Sequence, residues 1–194
     1  MNLLRLSISL SIVLIGNLSF SQAQDIPLAL QNPDTVKLEL KALFAELGLK
    51  HPGFYRYNEK ETFDGYIDSV LQTIKAPLNE WEILQKARPI IAKIGCLHTG
   101  IHLSDESEAK LAQENNCPPF TLYKKGKNYY VWKTFGENNP LETGDKIEKI
   151  NGRNIKEVYA VLLAHIPMDG YNETGKYKLL QYSFPEAYRN SIEL

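Results

Sequence analysis

Cysteine is scarce in this 194-residue sequence, limited to Cys96 and Cys117, and methionine and tryptophan contribute only two residues each. A multi-bridge framework of the kind that staples small secreted domains is therefore excluded, and at most one pairing is open. An excess of one charge is lacking too: 22 Lys and Arg stand against 23 Asp and Glu, a formal net charge of −1. That excludes nucleic-acid binding driven by bulk positive charge. Twelve Gly and ten Pro are too few for a low-complexity or collagen-like chain. No two glycines are adjacent, and there is no phosphate-cradling loop, no dinucleotide fingerprint and no Gly-x-Ser-x-Gly nucleophile elbow. The length admits one domain or two small ones, and excludes a full-size two-layer enzyme of about 250 to 300 residues.

One long apolar run is present, at the start. Arg5 precedes an uncharged stretch over residues 6–18, and Ser21-Gln22-Ala23 places small residues at the −3 and −1 positions of a cleavage site. The pattern is that of a secretory signal peptide over residues 1–23, cut after Ala23, because the run falls short of the roughly 20 apolar residues of a spanning helix. An exported address, periplasmic or secreted, with no membrane span after cleavage, is the expectation. An oxidising compartment permits a Cys96–Cys117 disulfide, and two unpaired thiols are equally open, since spacing alone does not bring the Cα atoms within about 7 Å.

Periodicity divides the remainder in two. Val36, Leu40, Leu43, Phe44 and Leu47 follow helical spacing from Asp34, with Gly48 at the expected C-terminal cap. A second helix is expected from an Asn58/Glu61 capping box, with Phe63, Ile67, Val70, Leu71 and Ile74 on one face. A third follows an Asn79/Glu82 box and carries Pro89, which predicts a kink, and a weaker polar helix covers 105–115. After Cys117-Pro118-Pro119 the residues turn aromatic and β-branched: 120–124 and 129–135 read as a hairpin, 144–152 as one strand between turn glycines, and 155–166 as a helix. The fold class is α+β, with a helical bundle over 24–116 and a smaller β-rich unit with one or two helices from 117, divided at the diproline.

Reactive side chains concentrate in Cys96-Leu97-His98-Thr99-Gly100-Ile101-His102. Cys96, His98 and His102 are candidate zinc ligands, but the His-Glu-x-x-His pattern of a zincin is missing, so the reading is without metal or cofactor. His98, just past a helix end, is the candidate general base, with a merely structural pair of His98 and His102 as the other reading. No serine supplies its nucleophile: Ser69 lies within a helix, Ser104 and Ser107 are helix-start residues, and Ser183 and Ser191 lack an exposing glycine turn. His51-Pro52-Gly53-Phe54-Tyr55-Arg56-Tyr57 reads as an aromatic loop over the seam of the first two helices, with a substrate-binding loop as the other reading.

Taken in order, the 51–57 segment, Pro77-Leu78-Asn79-Glu80, the segment from Ala92 to Thr99, and Gly144-Asp145-x-Ile147-x-x-Ile150-Asn151-Gly152-Arg153 resemble the amino-terminal half of exported tail-specific, C-terminal-processing and tricorn-like serine peptidases. The resemblance implies an N-terminal helical domain and a PDZ-like domain over 117–184, followed in the family by an α/β domain bearing the serine. It implies His98 as the base, matching the histidine of a Gly-Asp-Gly-His-Thr segment, with Cys96 and Leu97 where the family usually has Asp and a small residue. Residues 185–194 are then a linker toward a catalytic domain that the sequence does not contain, and the chain alone is expected to be inactive. The partners implied are extended peptides or protein C-termini, captured by strand addition at an edge such as 129–135, or a separate catalytic chain; nucleic acid is not among them.

Overall fold

In the computed structural model, which describes residues 28–113 and 117–192, the first helix starts where Asn32 accepts a hydrogen bond from the Asp34 amide at 2.9 Å with Pro33 behind it. The expected signal segment lies outside the described residues. Helix α1 (Pro33–Lys50) buries Val36, Leu40 and Phe44. Gly48 does not end it. The helix runs on to His51, whose amide reaches the Leu47 carbonyl, and a Cβ at Gly48 would stand 3.2 Å from the Tyr55 hydroxyl. That glycine therefore serves a close approach rather than a turn.

Helix α2 (Lys60–Gln72) has no side-chain cap. Asn58 instead donates to the Lys93 carbonyl at 2.7 Å, covering an end of the next helix that would otherwise lack a partner. Helix α3 (Glu80–Lys93) forms the Asn79/Glu82 capping box in full, at 2.9 and 2.7 Å, and runs through Pro89 as one helix. Burial of Ala87, Ile90 and Ile91 on one face holds that turn in place. Phe63, Ile67 and Leu71 of α2 join these residues and the buried face of α1 in the first core. Helix α4 (Asp105–Gln113) is docked by Glu80, whose carboxylate accepts from the hydroxyls of Ser104 and Ser107.

The second core lies under a three-stranded antiparallel sheet, β1 (Phe120–Lys125), β2 (Asn128–Thr134) and β3 (Lys146–Ile147), in the order β1-β2-β3. Gly126 has φ +60 at the first position of the two-residue hairpin loop, as a type II′ turn requires. β2 is central, paired on both sides, so the 129–135 segment does not offer the edge expected of it; β1 is the longer edge strand. The segment 144–152 is not one strand either. It breaks at Glu148 into β3 and β4 (Lys149–Ile150), and β4 pairs with β5 (Arg153–Asn154). Side chains three apart on one strand face opposite ways, and the break lets Ile147 and Ile150 enter the same core.

Helices α5 (Ile155–His165) and α6 (Glu173–Ser191) close this core from the other side. α6 bends at Ser183, two residues before Pro185, whose missing amide breaks the ladder. Residues 185–191, expected as linker, are thus the second half of α6, and Leu180, Phe184 and Tyr188 are fully buried. Removing one such aromatic costs about 3 to 5 kcal/mol, a large part of a domain's stability, so this helix belongs to the fold. Gln85 and Arg88 of α3 both donate to the Asn190 carbonyl at the end of α6, and Arg189 pairs with Glu108 at 2.6 Å. The two halves are joined there. Among the described residues no helix is long and apolar enough to cross a membrane.

The turn between β4 and β5 has Asn151 at φ 48 and Gly152 at φ 78, the pairing an Asn-Gly hairpin turn requires. Gly152→Val is expected to destabilise the protein by about 1 to 3 kcal/mol, the usual cost of forcing a side chain into this region. For a chain of this size that is roughly a 2 to 10 °C loss of Tm, and an unchanged melting curve would contradict the turn.

Candidate functional site

Where α3 ends, Gly95 takes φ +73 and turns the chain back toward the second half of the protein. Its carbonyl accepts from the Gly170 amide at 3.0 Å, and two residues on, the Leu97 amide donates to Asp169 Oδ1 at 2.8 Å. These two bonds clasp residues 95–97 to 169–170. Tyr57 fills the clasp from below: a Cβ at Gly95 would fall 2.5 Å from its ring, and one at Gly170 3.2 Å away. Tyr171 meets the same ring edge-on at 5.5 Å, and its hydroxyl donates to the Tyr57 carbonyl.

His51 supports the next turn. Its Nδ1 accepts the Gly53 amide at 3.1 Å, so the neutral ring carries its proton on Nε2 and donates to Thr99 Oγ1 at 2.9 Å. In this arrangement His51 cannot take a proton from Thr99, and it acts as a strut. Phe54 is buried and packs at 5.1 Å from Phe63, while Tyr55 donates to Asp64. Phe54 and Tyr55 cover the helix seam as expected; Tyr57, reaching the clasp, was not expected to.

On this frame the structure places Cys96, His98 and Asp169 so that one donor atom of each lies within 4.8 Å of the others. Cys96 is half-buried, and His98 and Asp169 are exposed. A carboxylate held by a backbone amide beside an imidazole can orient that ring and stabilise its cation, the supporting part of a base–carboxylate pair. Cys96 and His98 stand out in the sequence, but Asp169, within the expected 117–184 unit, does not; its one local signal is the Asp-Gly pair. His102 does not join them and lines a different cleft. Cys96 and Cys117 are both free thiols. Burial pushes the Cys117 thiol pKa up, against the opposing charge of Arg189.

The described serines are engaged elsewhere: Ser69 and Ser183 with carbonyls of their own helices, Ser104 and Ser107 with Glu80, and Ser191 within the core region of α6. The cleft that His102 lines, about 190 Å³, lies between the halves and includes Arg88, His165 and Glu186. His165 Nδ1 is buried there without a hydrogen-bond partner. Burial, with the charge of Arg88 second, lowers the His165 pKa to about 4. A larger hollow of about 420 Å³, bounded by Tyr129, Tyr159 and Lys176, holds no imidazole or thiol. Compared with protein-family models, curated proteins and solved structures, the chain matches none.

Gly95→Ala should cost about 2 to 4 kcal/mol, combining left-handed backbone strain with overpacking against Tyr57. In a Tyr57→Ala background the steric part disappears, so urea unfolding of the four proteins should give a clear coupling energy, and strictly additive losses would contradict the wedge. A lowered histidine pKa keeps the folded form neutral, so its contribution is intact above the unfolded value near 6.5 and is lost as pH falls toward about 4. Between pH 7.5 and 4.5, His165→Gln is expected to lose about 2 to 3 kcal/mol less stability than the parent, read from denaturant unfolding at each pH.

Proposed function

We propose that this chain is the front portion of an exported tail-specific serine peptidase, built from a helical unit and a PDZ-like unit. It holds an extended polypeptide and presents His98 as general base, and the nucleophilic serine comes from outside the described residues. The observation that carries the reading is convergence: the segments 51–57, 92–99 and 169–171, far apart in sequence, meet around His98 through the Tyr57 wedge and the 95–97/169–170 clasp. A scaffold this closely tied around an exposed imidazole suits a base that must meet a partner from elsewhere. Asp169, fixed by the Leu97 amide, supplies the carboxylate that such a base uses for orientation.

The Gly144-to-Gly152 element supports the PDZ-like part, since it forms β3, β4 and the Asn-Gly turn under the hairpin. A bound polypeptide would add along the exposed end of β1, at residues 123–125, since 120–122 are buried and the Leu122 carbonyl accepts from the Tyr159 hydroxyl. With a base and, among the described residues, no serine in reach of it, the chain is proposed to bind without cleaving on its own.

The test joins two measurements. The purified chain alone should leave casein and a mixed peptide library intact, and hydrolysis abolished by His98→Gln would overturn the view that it needs a second part. Once the serine-bearing partner domain is supplied and activity is present, His98→Gln should lower kcat by about 10²- to 10⁴-fold, the usual contribution of a general base. Unchanged kcat would overturn the role of His98.

A further inference from the structure

Cys96 has no task in acyl transfer from a serine, yet its sulfur lies within 4.8 Å of donor atoms of both His98 and Asp169. We infer that Cys96, His98 and Asp169 form a binding site for a divalent transition-metal ion of the zinc class. The donor set argues for that class: a thiolate and an imidazole with one carboxylate suit Zn²⁺ and its analogue Co²⁺, whereas Mg²⁺ and Ca²⁺ take oxygen ligands. A tetrahedral zinc ion with ligand bonds of about 2.0 to 2.3 Å needs its donors about 3.5 Å apart. Rotation of the exposed His98 ring, with a small swing of the Asp169 carboxylate about the Oδ1 that the Leu97 amide holds, closes that gap.

The backbone on both sides is already fixed. The Gly95–Gly170 bond sets the spacing of the two segments, and the Leu97 amide holds Asp169 Oδ1, an outer-shell contact of the type that orients metal-ligating carboxylates. Binding breaks the Sγ–H bond of Cys96, forms the sulfur–metal bond and releases that proton to solvent. With neutral His98, a thiolate and a carboxylate balance the two positive charges of the ion, and three protein ligands leave a fourth position for water. The site stands without the peptidase reading. What rests on that reading is its consequence: an ion on the His98 ring withholds it from base catalysis, making the site a metal-controlled brake.

The test uses the untagged full chain under reductant, titrated with Co²⁺. One equivalent should produce a thiolate-to-cobalt charge-transfer band in the near ultraviolet, and Zn²⁺ should abolish it. Cys96→Ser should remove the band. Asp169→Asn keeps an acceptor for the Leu97 amide while removing the charge, and should weaken binding by more than about tenfold. His102→Gln and Cys117→Ser should leave the titration unchanged. No band with equimolar Co²⁺ on folded protein, or a band that survives Cys96→Ser and is lost in Cys117→Ser, would overturn the site. Metal binding is read here without any activity, so its failure is distinct from failure of the proposed function.

Discussion

Two glycines and one tyrosine ring set the distance between the halves of this protein near its candidate site. Gly95 and Gly170 both have positive φ, at +73 and +58, and both face Tyr57 so closely that neither could carry a side chain without displacing the ring. Glycine bears the left-handed backbone at no steric cost and leaves room for the aromatic face in the same stroke. The carbonyl of one then meets the amide of the other at 3.0 Å. His98 follows three residues after Gly95 and Asp169 immediately precedes Gly170, so their meeting is a consequence of this contact.

A single backbone hydrogen bond contributes only about 1 kcal/mol net, too little to fix the two halves of the chain against each other. The clasp is supported at a distance. Arg88 and Gln85 of α3 satisfy the Asn190 carbonyl at the end of α6, and Arg189 pairs with Glu108. α3 also packs directly on α5. Both segments of the clasp therefore leave helices that are already docked, Gly95 just after α3 and Asp169 four residues after α5. The ordering entropy is carried by the helix packing, and the short bonds decide only register.

What could be read from the sequence were features closed within a few residues. The Asn79/Glu82 box, the 120–134 hairpin and the turn glycine Gly152 are each specified locally, and each formed, Gly152 in an Asn-Gly hairpin turn that the single-strand reading of 144–152 did not contain. The misread positions all had tertiary partners. Asn58 had the composition of a cap but spends its amide on Lys93, 35 residues away, and Gly48 had the look of a helix stop but makes room for Tyr55. Residues 185–191 read as linker through the peptidase resemblance, while the bend before Pro185 lets Phe184 and Tyr188 bury in the second core. Of the candidate site, Cys96 and His98 were legible because they share one short segment. Asp169 was not, since only the folded chain brings a loop 71 residues beyond His98 up to the Leu97 amide, 72 residues from its own position.

The carboxylate of Asp169 also limits what the site can do at one time. The Leu97 amide engages Oδ1, leaving Oδ2 as the oxygen free to swing toward a second partner. As an orienter it would turn to the His98 ring and favour the protonated imidazole that a general base produces; as a ligand it would turn to an ion that also needs His98 deprotonated. Base and ligand both draw on the lone pair of the same unprotonated ring nitrogen, so the two roles exclude each other. The residue at position 96 sets the balance between them. A carboxylate there would add a hard oxygen donor and repel Asp169, whereas a thiol is neutral until a metal takes its proton. With cysteine at that position the metal-free site keeps one carboxylate for His98, and zinc-class ions gain the soft ligand that selects them.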